Sequence, residues 1–276
     1  MSIKNIRIFK DTQGLIKNNE SLGKETTSAI ENTMLYPQNF RVGYKQLHDP
    51  AHISVEENLT LIVARRLKNN YERVAVLNFA NAIMPGGGVT LGANAQEEYL
   101  CRASNLYNCL LQYKMIKDFY LYHLFLVNTY YSDKVIYSKG VVIFKKDVRK
   151  KDSSLKYDIE YTKDWIDVDI ITSAAPNIRF MIKPNMNKIS QIFMNRIRNI
   201  LETAIENKIE ALVLGAFGCG EFKNPPEIVS EAFRKILKEE HYEDYFKEIV
   251  FAIKHTNQID NNLSCFKKKF EDGIKK

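Results

Sequence analysis

The sequence predicts an α/β protein: a central sheet covered by helices. Three observations carry this. Short apolar runs alternate with amphipathic stretches through the second half of the chain. Several of those runs end in loops rich in Gly, Pro or Asn. No internal repeat, linker or low-complexity block interrupts the alternation, so residues 1–276 read as a single domain. Within it we expect a helical extension over 1–45, a core over 46–256 and a basic tail over 257–276.

The elements follow in order. Residues 1–50 are polar and mixed, and read as short helices and loops. Ser54-Val55-Glu56-Glu57 fits a capping box, and Leu59, Ile62, Val63 and Leu67 recur at helical spacing, which predicts a helix over 54–69. Val74–Phe79 is an apolar run of strand length that leads into a glycine loop. Gln96, Leu100, Ala103, Leu106 and Leu110 predict a helix over 95–113, whereas 121–130 fits either a helix or a strand. Val141–Phe144 reads as a strand, and the charged stretch 145–164 as a surface loop. Further strands are expected at 168–173, 211–214 and 249–253, with helices over 188–207 and 226–238. Trp165 reads as a packing residue.

Composition narrows the function. Hydrophobic residues make up 45% and charged residues 26%, enough to bury a core. No apolar run reaches the length of a membrane span, and the first residues lack the apolar stretch of a secretory signal, so the expected setting is cytoplasmic or nuclear, without a membrane partner. Cys101, Cys109, Cys219 and Cys265 are scattered without a CxxC, which fits reduced thiols rather than a zinc site. The net charge of +7 suits a polyanionic partner, nucleic acid included, although the lysine runs fit solvated surface better.

Two loops carry the chemical signal. The first contains Asn81 and the bare backbone of Gly86, Gly87 and Gly88; after seven residues comes Gln96-Glu97-Glu98. Glycines let a phosphate or ribose approach the N–H groups and supply positive φ. The second is Gly215-Ala216-Phe217-Gly218-Cys219-Gly220, followed by Phe222 and the proline-led start of a helix, where anions are favoured. Together they point to a nucleotide diphosphate held beside a carboxylate acid/base. No motif calls for a metal or a cofactor, and His255, just past the last strand, lacks metal-ligand spacing.

The Gly-Gly-Gly, seven-residue spacer and Gln-Glu-Glu resemble the signature of the poly(ADP-ribose) glycohydrolases, a catalytic branch of the macrodomain fold. Leu214–Gly220 with Asn224-Pro225, and Ala174-Ala175-Pro176-Asn177, look like the bacterial-type, short branch. The resemblance covers roughly residues 40–256. It implies a three-layer α/β/α macrodomain-like fold with a mixed, mostly parallel sheet, and hydrolysis of ribose–ribose bonds in poly(ADP-ribose) to release ADP-ribose. It places the general acid/base at Glu98, with Glu97 holding ribose hydroxyls. Asn81 would contact the distal ribose, and Gln96 would orient the glutamates. Gly215, Gly218, Cys219 and Gly220 would offer N–H groups to the diphosphate, with Ala216 and Phe217 in the same loop. Phe222 would cover ribose or adenine, and Phe251 either borders the adenine or belongs to the core. Two other readings stay open: a hydrolase of single ADP-ribose units on protein or nucleic acid, and a non-catalytic ADP-ribose reader. A helix N-terminus favours the anionic form of a glutamate, so a general acid there needs a compensating influence.

Overall fold

The computed structural model describes residues 2–43, 47, 49–149, 157–254 and 261–271. A seven-stranded sheet organises the chain, in the order β1-β4-β5-β3-β6-β7-β2. The strands are β1 (Thr33–Tyr36), β2 (His52–Glu56), β3 (Val74–Phe79), β4 (Val135–Arg149), β5 (Tyr157–Ser173), β6 (Ala211–Leu214) and β7 (Glu248–Ala252). From β5 to β2 all neighbours run parallel. At the other end β1–β4 and β4–β5 are antiparallel, so the sheet is mixed and mostly parallel.

Strand side chains alternate between faces, and both faces are buried. Ala75 and Leu77 join one core with Ile197, Leu212 and Phe251. Val74 and Val76 join the other with Leu61, Leu100, Val213 and Val250. The first core lies under α8 (Met186–Glu206) and α9 (Pro226–Arg234), and the second under α3 (Thr60–Lys68) and α4 (Gln96–Ala103). These are the three expected layers.

Several sequence expectations change. Ser54 is not a helix cap: residues 52–56 form the edge strand β2, with Ile53 opposite Ile249 on β7. The pairing energy of a free sheet edge wins over a local cap, and α3 starts only at Thr60, after Leu59. The helix expected over 95–113 breaks after Ala103. Ser104 turns extended to bridge Ile143, and α5 (Leu106–Leu110) and α6 (Tyr113–Met115) follow as short pieces. The ambiguous stretch begins in a π-helical turn, Ile116–Leu121, continues as α7 (Tyr122–Phe125) and then unwinds.

The charged stretch 145–164 is not a loop. Its described parts extend β4 and β5 as an antiparallel hairpin, with Lys146 opposite Glu160. Charge there marks a solvated ladder, and Lys145 is drawn inside by Asp11 at 2.7 Å. The first 36 residues hold two full helices, α1 (Ile3–Asn18) and α2 (Glu20–Glu31), and then the edge strand β1. The described part of the basic tail forms α10 (Asn262–Phe270), whose Phe266 and Phe270 pack on Phe251 with ring centroids 5.1 and 4.7 Å apart. Phe251 is therefore a core residue, and does not border an adenine. Trp165 packs beside Val142 and Phe144. His255 lies outside the described residues. Among the described residues, no helix is long and apolar enough to cross a membrane.

Candidate active site

β3 and β6 are adjacent parallel strands, so their C-terminal loops emerge side by side. The Gly86–Gly88 loop follows β3 and leads into α4. The Gly215–Gly220 loop follows β6 and leads into α9. Phe79 and Phe217 touch beneath them, with ring centroids 5.7 Å apart.

The first loop folds around the protein's own carboxylates. Glu98 accepts from the Gly88 N–H at 2.9 Å and from the Ala95 N–H at 3.0 Å. Glu97 accepts from the Asn81 N–H at 2.7 Å and from the Asn78 side-chain amide at 3.4 Å. Gly87, at φ +57°, lies so close that a Cβ there would overlap Glu98 Oε1 and sit 3.1 Å from Glu97 Oε2. Gly86, at φ +67°, would meet Tyr107 at 2.7 Å. These two glycines are required by side chains of this chain, not only by a ligand's approach.

The two carboxyls differ. Glu97 is 2% exposed and Glu98 7%. Burial, reinforced by the neighbouring Glu98, pushes the Glu97 carboxyl up to about 8, against the hydrogen bond from Asn81. Burial thus favours the protonated form of Glu97. The compensating influence that an acid at this helix start needs is present, and it acts on the first glutamate of the pair.

Gln96 is engaged by the backbone of β3. Its Oε1 accepts from the Phe79 N–H at 2.9 Å and its Nε2 donates to the Leu77 carbonyl at 2.8 Å. The amide copies a strand's hydrogen bonding and fixes α4 to the end of β3, so Gln96 positions the glutamates, in line with the orienting role. Asn81 Oδ1 accepts from the N–H groups of Ile83 and Met84, forming a turn.

The loop is held from behind by groups that the motif does not contain. Arg102, one turn beyond Glu98 and buried, donates to the Ala93 carbonyl at 2.6 Å and to Asn94 Oδ1 at 2.7 Å. The Ser2 N–H and Asn5 side chain of α1 both reach the Gly92 carbonyl, at 3.0 and 3.2 Å. Phe9 meets Tyr107 edge to face at 5.0 Å. His123 is buried, with Ser132 Oγ at 2.7 Å, and desolvation lowers it to about 4, so it is neutral. Asn78 was visible as a polar residue inside an apolar strand. The α1 contacts join distant segments and left no sequence signal, and Arg102, though its partners lie only eight and nine residues back, belongs to no motif.

The second loop is more open. Gly220 is exposed, and a Cβ there would meet nothing within 4 Å. Gly218, at φ +77°, would meet Ala175 at 2.5 Å and Asn224 at 2.8 Å, and Gly215 would meet Ala252 and Phe79 at 2.9 Å. The Phe217 and Cys219 N–H groups are spent inside the turn, on the Gly215 and Ala216 carbonyls at 2.8 and 3.1 Å. Phe217 is thus a fully buried core residue, and the Cys219 N–H, expected to face a diphosphate, is bonded within the turn. Ala216 and Phe222 are half-buried at the loop's margins. Asn224 ties the loop down, donating from Nδ2 to the carbonyls of Pro176 at 2.7 Å and Gly218 at 2.9 Å.

Residues 4–146 match the family model described as microbial-type PARG, catalytic domain. The chain belongs to the microbial-type poly(ADP-ribose) glycohydrolase family. It is similar over 98% of its length to the whole of the PARG structure from Thermomonospora curvata, at 30% identity and a TM-score of 0.85. That enzyme bound to the inhibitor ADP-HPD matches at 29% identity and a TM-score of 0.81, with 98% of this chain and all of that one covered. The PARG from Deinococcus radiodurans in complex with ADP-ribose matches at 28% identity and a TM-score of 0.74, over 90% of this chain and 97% of that one. No protein of curated function matches the sequence. The PARG macrodomain-like architecture agrees with the sheet order and layering described above.

Proposed function

We propose that the chain hydrolyses the ribose–ribose O-glycosidic bonds of poly(ADP-ribose) and releases ADP-ribose. Family membership makes it a hydrolase of glycosidic type. The observation that carries the reading is the convergence of two adjacent buried carboxyls on the Gly86–Gly88 loop, beside the open Gly220.

The diphosphate lies on the second loop, where the bare backbone at Gly220 and the N-terminus of α9 favour an anion. The distal ribose then reaches the first loop. Glu98 acts as general acid, protonating the departing ribose oxygen as the glycosidic bond breaks, and then as general base, taking a proton from the water that attacks the oxocarbenium-like carbon. One residue serves both steps, unlike the usual pair of glycosidase carboxylates. Glu97, whose protonated form burial favours, binds ribose hydroxyls without adding a second negative charge beside the diphosphate. The Asn81 side-chain NH2 contacts the same sugar. Phe222 covers the same ribose, on the side where its carbonyl accepts from the Ile178 N–H.

One observation favours a second assignment within the same reaction. The carboxyl raised to about 8 is that of Glu97, so Glu97 is the competing candidate for the acid. A reader of ADP-ribose gains nothing from two buried carboxyls, which argues for catalysis. The test is release of free ADP-ribose from purified poly(ADP-ribose), compared with a mono-ADP-ribosyl peptide and ADP-ribosylated DNA. Release from the polymer supports the proposal. Release from the peptide or DNA alone replaces it with a mono-linkage hydrolase, and ADP-ribose binding without turnover on any conjugate makes the chain a reader.

A further inference from the structure

The loop after β5 carries an apolar pair that the reaction above leaves unused. Phe180 is 83% exposed and Ile182 95%, while Met181 between them packs against the core. Their stem is pinned firmly. Arg196 donates to the Ala174 carbonyl at 2.5 Å, the Asn177 N–H to the Thr129 carbonyl at 2.7 Å, and the Ile178 N–H to the Phe222 carbonyl at 3.1 Å. Arg179 reaches across to Glu221 on the second glycine loop at 2.8 Å, and its guanidinium lies 5.3 Å from the Phe180 ring. Lys183 is exposed on the same loop.

Strand order gives this loop a direction. β3 stands between β6 and β5. On the glycohydrolase reading, on which this inference rests, the diphosphate sits at the end of β6 and the bond that breaks lies over the end of β3. The polymer behind that bond continues past β3, towards the end of β5. A flat apolar ring beside an arginine and a lysine matches what such a strand offers there, a base with diphosphates on either side. An aromatic platform with cationic flanks is also how sequence-tolerant single-stranded polymers are held.

We propose that Phe180 is a subsite for the departing part of the substrate: it stacks the adenine of the unit left behind, while Lys183 faces that unit's diphosphate and Arg179, paired with Glu221, holds the loop in place. The subsite contributes to grip on the polymer and not to binding of free ADP-ribose.

Phe180 is exposed, so replacing it leaves the fold intact. Phe180→Ala should raise KM for long poly(ADP-ribose) by about fivefold or more, the loss expected for one stacked base. Phe180→Trp should restore the wild-type KM, and calorimetric affinity for ADP-ribose should not change in either variant. Polymer binding measured by anisotropy in a Glu98→Gln background should weaken by the same factor as KM rises. An unchanged KM and polymer affinity in Phe180→Ala would overturn the subsite. So would an equal loss of ADP-ribose affinity, which would put Phe180 in the main site, or a dimer of the wild type that Phe180→Ala dissolves, which would make the patch a self-association surface. If the wild type releases no ADP-ribose, the glycohydrolase reading fails by itself, and the anisotropy comparison still decides the subsite.

Discussion

The two glycine loops look alike in sequence and do different work. In the loop after β3, Gly86 and Gly87 have positive φ, and the space beside them is filled by Tyr107, Cys101, Glu97 and Glu98. In the loop after β6, Gly220 faces open space. The first loop is thus a mould for Glu97 and Glu98, whereas in the second Gly215 and Gly218 are packed and Gly220 is left bare, where the proposed ligand would lie. The residue type alone does not distinguish a glycine needed by the protein from one needed by the substrate; the neighbouring atoms do.

Alanine substitutions break this contrast most directly. Gly87→Ala puts a methyl group onto the Glu98 carboxylate at a strained φ, so it should cost on the order of 1–3 kcal/mol of stability and displace the acid. Because misplacement by about 1 Å at a reacting centre costs about a hundredfold, kcat should fall by about that much, as single-turnover kinetics would show. Arg102→Lys keeps the charge but not the fork that holds Ala93 and Asn94. Its kcat should fall on the order of tenfold, about 1.4 kcal/mol in the barrier, with ADP-ribose affinity preserved. Gly220→Ala should do the reverse. ADP-ribose affinity drops by roughly fivefold, about 1 kcal/mol, while the melting temperature stays at the wild-type value.

The smallest effect is on stability against pH. The folded Glu97 carboxyl titrates near 8, against 4.5 for an ordinary glutamate. Between those values the folded chain holds a proton that the unfolded chain releases, so stability falls as pH rises through the window. Glu97→Gln should flatten that slope in denaturant titrations run from pH 5 to pH 9. A slope as steep as the wild type's would mean that Glu97 is not the buried acid described here.

Much of this arrangement was legible in the sequence because its signals are local. Val74–Phe79 and Ala211–Leu214 read as buried strands, and each feeds its glycine loop as expected. Gln96-Glu97-Glu98 opens a helix as expected. What was missed depends on partners far along the chain. Ser54 fits a cap until β7 offers it an edge. The charged residues 145–149 read as loop until β5 pairs with them. Cys219 and Phe217 looked like ligand groups because the closure of their turn, and the contacts of Phe217 with Phe79 and Phe193, have no signature in spacing. The N-terminal helix reads as an appendage, yet Ser2 and Asn5 bind Gly92 beside the first glycine loop and Phe9 packs on Tyr107.

The most direct measurement is the pH–rate profile for ADP-ribose release by the wild type, Glu97→Gln and Glu98→Gln, with ADP-ribose affinity measured alongside. Glu98→Gln should still bind ADP-ribose but lose about a hundred- to ten-thousandfold in kcat at every pH. Glu97→Gln should retain measurable turnover and lose the limb of the profile near pH 8. Wild-type turnover by Glu98→Gln, with Glu97→Gln inactive, would contradict it and transfer the acid/base role to Glu97.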